Sequence, residues 1–310
     1  MAHRTHRNGI SVMQLAEMFP DEEAARRWFE SRIWPDGRHC PRCKSTRTRE
    51  VKAAKPMPYW CTDCRKYFSV RVGTVMEASR LPLRKWVYAI YLHMTSLKGV
   101  SSTKIARDID IHQSSAWHLL QRIRKAFDAG EDNLFGGPVE VDETFVGGKE
   151  ANKHESKKLH AGRGVVGKTA VVGAKDRATG KIKAEVVEDT SAGTLHDFVL
   201  DHVLFGTPLY TDDNRAYTGL RYIYDLDTVK HSVGEYVRGM VHTNGIESFW
   251  ATLKRAHKGV YHKFSKKHLH RYVQDFVGRH DLRDYDTLEQ MAEVARSMTG
   301  KRLRYADLIA

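Results

Sequence analysis

An α/β domain preceded by a cysteine-bearing ribbon and a helical module is the fold class this sequence predicts, on three observations. Two Cys-x2-Cys pairs share one stretch, Cys40 with Cys43 and Cys61 with Cys64. Beyond them, apolar residues recur at helical spacing between Leu83 and Phe127. From Val139 onward three β-like runs, a helix, another β-like run and further helices follow one another, the order of a mixed sheet flanked by helices.

The chain has 310 residues, 41% of them hydrophobic, enough to bury a core and to form about two domains with small modules attached. The expected organisation is a helical segment over 1–36, the ribbon over 37–76, the helical module over 77–130, the α/β domain over 138–284 and a helical tail over 285–310. Lys and Arg number 51 against 38 Asp and Glu, a net charge of +13, which favours a polyanionic partner. Many soluble proteins are basic without one, so charge alone does not decide the matter. No run approaches the roughly 18 apolar residues of a membrane span, and the opening MAHRTHRNGISVMQ lacks the apolar stretch of a signal peptide. A cytoplasmic protein with no membrane partner is expected.

Taken in order, Asp21 is placed to cap a helix over Glu22 to Glu30, with Ala25, Trp28 and Phe29 on its apolar face. The two cysteine pairs stand 17 residues apart, long enough for the chain to return as a hairpin and close a tetrahedral four-thiolate zinc site. Two disulfides are the competing reading; without a secretory signal, structural zinc is favoured. Bases and aromatic residues interleave around the pairs, and Arg42 and Lys44 are the candidate phosphate contacts there. Leu83, Val87, Ile90, Tyr91, Met94 and Leu97 then mark an amphipathic helix ending near Gly99. Thr103 to Ile109 and Gln113 to Phe127 have helix-turn-helix proportions, with Leu119, Leu120, Ile123 and Phe127 inward and Ser114, Ser115, His118 and Arg122 near the exposed face. A plain helical bundle fits that stretch equally well.

The Gly-rich, acidic stretch from Asp128 to Pro138 reads as a linker. Strands follow at Val139 to Val146, Thr169 to Ala174 and Lys181 to Glu188, with a basic loop from Lys149 to Lys168 after the first and a turn at Asp176 to Gly180 after the second. In the first strand Val139, Val141 and Phe145 share one face and Glu140, Asp142 and Thr144 the other. A helix over Thr194 to Val203 leads to a short strand, Pro208 to Thr211, that stops at Asp212. Glu247 lies early in the next helix, with Lys254 two turns further along the same face. Ser265 is placed to cap a helix whose buried stripe is Leu269, Tyr272, Val273 and Phe276, and the last helix spans about Thr287 to Met298. Within the basic tract from Arg255 to Arg271, Arg255, Lys258 and Lys266 are the candidate phosphate contacts.

Asp142, Asp212 and Glu247 thus form a candidate site for one or two divalent cations. Phosphodiester chemistry gathers negative charge on oxygen, hard cations offset it, and carboxylate oxygens are the ligands those cations prefer. Alternation turns Asp213 away from Asp212, so Asp212 is the favoured ligand. Asn244, one turn before Glu247, is an alternative third ligand through its amide oxygen, but the charge of Glu247 offsets two cations better. His242 is expected to cap or pack.

Several segments together resemble a known family: CPRCKS and WCTDCRKYFSVRVGTVM in the ribbon, VEVDETFVGGKE, YTDDNRAYTGL, and the long run from HSVGEYVRGMVHTNGIESFWATLK to the basic tract. The chain resembles bacterial insertion-sequence transposases of the DDE type, in the group with an N-terminal zinc ribbon, over almost its whole length. The resemblance implies an RNase H-like catalytic domain, Mg²⁺-dependent (or Mn²⁺-dependent) DNA cleavage and strand transfer, and recognition of the element's terminal inverted repeats and of target DNA. It also implies that Asp142, Asp212 and Glu247 are the catalytic triad, with Lys254 the basic residue that follows it. A homodimer or higher assembly on DNA is expected, because two ends must be joined. Two other functions fit the same residues: a transposase-derived DNA-binding regulator without catalysis, and a metal-dependent nuclease that only hydrolyses.

Overall fold

The computed structural model describes residues 8–128, 133–148, 154–159, 164–229 and 237–310. The chain divides into two compact units, Met1–Asp128 with Leu282–Ala310, and Ala129–Asp281. Residues 149–153 and 160–163 of the expected basic loop, and 129–132 of the expected linker, lie outside the described residues.

In the first unit, α1 (Val12–Met18) opens with a capping box in which Ser11 and Gln14 bond each other's backbone. The cap expected at Asp21 is present: it accepts from the Ala24 N–H at 2.8 Å and starts α2 (Glu22–Ile33). Three short antiparallel strands, β1 (Thr48–Glu50), β2 (Tyr59–Cys61) and β3 (Lys66–Phe68), build the ribbon in the order β1-β2-β3. Its aromatic core of Trp34, Tyr59 and Phe68 is buried, and the Tyr59 hydroxyl donates to Glu30 of α2. Helix α3 (Leu83–Thr95) begins after Pro82, which has no side chain to cap it; Glu22 does so from α2, accepting from the N–H groups of Leu83 and Arg84. The helix stops before Leu97, which is 76% exposed rather than part of the apolar face expected there. Helices α4 (Ser102–Asp108) and α5 (Gln113–Ala126) pack on each other across a short turn, an arrangement that both a helix-turn-helix and a plain bundle contain. Helix α9 (Thr287–Ser297) sets Met291, Val294, Ala295 and Met298 into the same core as Trp86, Ile90, Leu119 and Ile123. The stretch expected as a tail is therefore part of this unit's interior.

The second unit is built on five strands: β4 (Val139–Val146), β5 (Thr169–Asp176), β6 (Ile182–Val187), β7 (Pro208–Asp212) and β8 (Asp225–Val229). They lie in the order β6-β5-β4-β7-β8, with β4, β5 and β6 antiparallel to one another and β7 and β8 joined in parallel beyond β4. This mixed sheet carries helices on both faces, the arrangement of an RNase H-like domain. Alternation along the strands divides the core: Val139, Val141 and Val172 pack under α6 (Ala192–His202), while Val146, Val171 and Ile182 pack under α7 (Asn244–Ala256) and α8 (Leu269–Asp281). The expected stripe of Leu269, Tyr272, Val273 and Phe276 is buried in α8. Ser265 leads into it through a short 3₁₀ turn rather than capping it directly.

Candidate active site and metal centre

The three carboxylates come from three elements. Asp142 lies in mid-strand on β4, on the face opposite Val139 and Val141. The recorded β4–β7 register pairs Val139 with Leu209 and Glu140 with Tyr210, so two residues further Asp142 comes level with Asp212, the last residue of β7. Helix α7 crosses the Asp142 face because its apolar stripe, Ile246, Phe249, Trp250 and Leu253, must be buried. Ile246 and Trp250 come down on Gly173, the β5 residue directly opposite Asp142, and Glu247 follows Ile246.

Electrostatics report the convergence. Burial, followed by the negative charges of Glu143, Asp212 and Glu247, pushes the Asp142 carboxyl up to about 7. A carboxyl held this way gains most when a cation offsets its neighbours. The Asp212 carboxylate accepts from the Asn214 N–H at 3.1 Å, and Glu247 accepts from the Thr243 hydroxyl at 3.0 Å. Asp213 and Asn244, the alternatives considered, are exposed, whereas Asp212 and Glu247 are half-buried. Lys254 stands exposed in the last turn of α7.

Two further glutamates of β4 were not singled out from the sequence. Glu140 is 2% exposed; one carboxylate oxygen accepts from Arg177 Nε at 2.7 Å and the other from the Ile246 N–H at 2.9 Å. Arg177 also donates to the carbonyls of Met240 and His242 and lies 4.4 Å over the Tyr210 ring. The half-buried His242 ring, in the loop leading into α7, lies with Nδ1 2.8 Å from the same guanidinium. On the other face, Glu143 accepts from the Asn214 amide and from the Tyr217 hydroxyl, both at 2.6 Å. Acids flanking Asp142 are visible in VEVDE; what they bond to is not.

The four cysteines form a second centre. Cys40 and Cys64 have sulfurs 3.6 Å apart, as do Cys43 and Cys61, and all four lie within 4.8 Å of one another. A tetrahedral zinc with bonds of about 2.3 Å needs sulfurs about 3.8 Å apart, so the donor set fits a closed zinc site. Both knuckles turn alike, with Lys44 and Arg65, each directly after a pair, in the left-handed conformation. Among the described residues this is the only such group drawn so tightly together; the three carboxylates, which repel one another, are not.

Residues 134–281 match the model of an ISXO2-like transposase domain, and residues 20–67 match that of a transposase zinc-ribbon domain. The chain belongs to the insertion-sequence transposases that carry a zinc ribbon. It is also 29% identical over 284 residues to an uncharacterized protein in transposable element ISH50 of Halobacterium salinarum, covering 87% of this chain and 94% of that protein.

The remaining candidates of this transposase are distributed unevenly over its surface. Arg42 and Lys44 are exposed on the first knuckle, and Arg255, Lys258 and Lys266 are exposed after the buried stripe of α7. On α5 the expected exposed face needs correcting at Arg122, which is 8% exposed and donates from Nε to the Leu303 carbonyl at 3.2 Å. Ser115 and His118 are half-buried, and the His118 ring lies 5.5 Å from that of Tyr305, in the short helix α10 (Tyr305–Ile309). Lys301 secures the covering segment by donating to the carbonyls of Ala126 and Asp128 at the end of α5. Gln113 and Ser114, at the start of α5, remain exposed. Helical periodicity placed Arg122 outward because it takes no account of a segment 181 residues later in the chain.

Proposed function

We propose that this transposase cleaves DNA at the ends of its element and joins the freed 3′-hydroxyls to target DNA, with Asp142, Asp212 and Glu247 holding two Mg²⁺ or Mn²⁺ ions. The observation that carries this reading is the placement of three carboxylates on one side of the sheet: Asp142 on β4 comes level with Asp212 at the end of β7, and Glu247 follows Ile246 on the helix that crosses beside Asp142. Bound cations would supply Lewis-acid stabilisation of the reacting phosphate oxygens and lower the pKa of a ligated water. The chain supplies placement. The sheet holds Asp142 and Asp212 on neighbouring strands, and Thr243 orients Glu247. Lys254, on the same side of α7 as Glu247, steadies the phosphate, and Arg255, Lys258 and Lys266 continue the contact along the DNA backbone. The ribbon and the helix-turn-helix recognise the terminal inverted repeats, and two or more copies assemble to bring both ends together.

The test is incubation with labelled DNA carrying the element's ends and a target plasmid, in Mg²⁺ or EDTA, alongside Asp212→Ala. Metal-dependent joined products, absent in the variant, are expected. Cleavage without joining would show a nuclease, and binding alone in both Mg²⁺ and Mn²⁺ would show a regulator.

A further inference from the structure

We infer that Glu140 and Glu143 are positioning residues: each ties to the Asp142 strand the element that carries one of the other two carboxylates. The inference rests on the metal-site reading above and adds the means by which that site is held together. Glu140 and Glu143 lie on opposite faces of β4, and their bonds lead to different places.

Glu140 serves α7. The cap residue of that helix, Thr243, lacks the extended backbone of an N-cap and makes no side-chain cap bond; its hydroxyl donates to Glu247 instead. An uncapped helix start leaves N–H groups without partners, and Glu140, on the strand beneath α7, takes the Ile246 N–H. The negative charge also sits at the positive end of the helix. Gly245 allows the close approach: a Cβ there would stand 2.7 Å from a Glu140 carboxylate oxygen and 2.8 Å from Lys175 Nζ. Arg177 offsets the buried charge and bonds the two carbonyls just before the helix. The residue after Ile246 is Glu247, so the bond that seats the helix sets the height of its carboxylate above the sheet.

Glu143 serves Asp212. Its two oxygens are both occupied, one by Asn214 and one by Tyr217, which is fully buried. Asn214 is also the residue whose backbone N–H bonds the Asp212 carboxylate. The turn after β7 is thus fastened to β4 by the Asn214 side chain, which holds in place the N–H that orients the Asp212 carboxylate.

The experiment titrates Mn²⁺ into the intact, zinc-loaded chain by calorimetry. Asp142→Asn is the control for the metal site itself and should abolish binding at the carboxylates. Glu140→Ala and Glu143→Ala should each weaken Mn²⁺ binding about 10–100-fold, the usual cost of losing a residue that orients a metal ligand. Glu140→Gln keeps an oxygen for the Ile246 N–H and should recover part of the affinity, and Tyr217→Phe, which leaves the Asn214 bond, should lose less than Glu143→Ala. If the alanine variants lower the melting temperature but bind Mn²⁺ as the unaltered protein does, the two glutamates are merely structural and the inference is overturned. If the alanine variants do not fold, equal affinity in Glu140→Gln, Tyr217→Phe and the unaltered protein overturns it instead. Unchanged binding in Asp142→Asn would overturn the metal-site reading rather than the roles of Glu140 and Glu143.

Discussion

Gly173 shows at one residue how closely the candidate site depends on packing. A Cβ at this position would stand 2.7 and 2.8 Å from two ring carbons of Trp250, which is 3% exposed and has no room to turn. Gly173→Ala should therefore destabilise the α/β unit by roughly 1–3 kcal/mol, the cost of overpacking a close-fitted core. A melting temperature equal to that of the unaltered protein would show that α7 moves freely over the sheet. From the sequence this glycine reads only as a weak position in a strand. The face on which Asp142 lies was legible, by contrast, because period-2 alternation sets it opposite Val139 and Val141; that strand pairing brings it level with Asp212 was not. Glu140 and Glu143 were visible as acids but not as anchors, since their partners Arg177, Ile246, Asn214 and Tyr217 are brought to them by strand pairing and helix docking.

Among the elements, the ribbon is the one most dependent on a ligand. Its strands have three residues each, too few to hold by ladder bonds alone, and two of its four cysteines are fully buried. Structural zinc contributes on the order of 10–16 kcal/mol in comparable small modules. Chelation, or Cys61→Ser, should unfold β1 to β3 and change the fluorescence of Trp34 and Trp60, while the α/β unit melts as before. Fluorescence that stays constant as zinc leaves would sink this prediction. The ribbon was legible because its chemistry is local, two identical pairs at a fixed spacing. The short α1 went unread although Ser11 and Gln14 carry its capping signal, and β8, five residues with an exposed, partly charged face, carries too little periodicity to stand out. Helix α7 was legible as a helical pattern around Glu247 and Lys254, but its start was not, since Glu140 takes its Ile246 N–H from another element.

At the scale of the whole molecule, the excess of 13 positive charges makes an electrolyte effect the natural measurement. Affinity for the element's end DNA should fall steeply with salt, and Lys258→Ala should reduce the slope of log K against log salt by about 1 if this exposed lysine contacts a phosphate. An unchanged slope would remove Lys258 from the interface. No described helix is long and apolar enough to cross a membrane. The sequence by itself determined the composition of the parts: a four-cysteine ribbon, two helices after it, an α/β succession of strands and helices, and three acids, two on strands and one on a helix, with the RNase H-like arrangement supplied by the family resemblance. Spacing and periodicity are local properties, written over a few residues and read without knowing the fold. Only the tertiary structure decided that α9 completes the core of the first unit, that the last ten residues bury Arg122, and that Glu140 and Glu143 anchor the elements bearing Glu247 and Asp212. Those facts join residues far apart in the chain, and burial drives such meetings without leaving a pattern at either end.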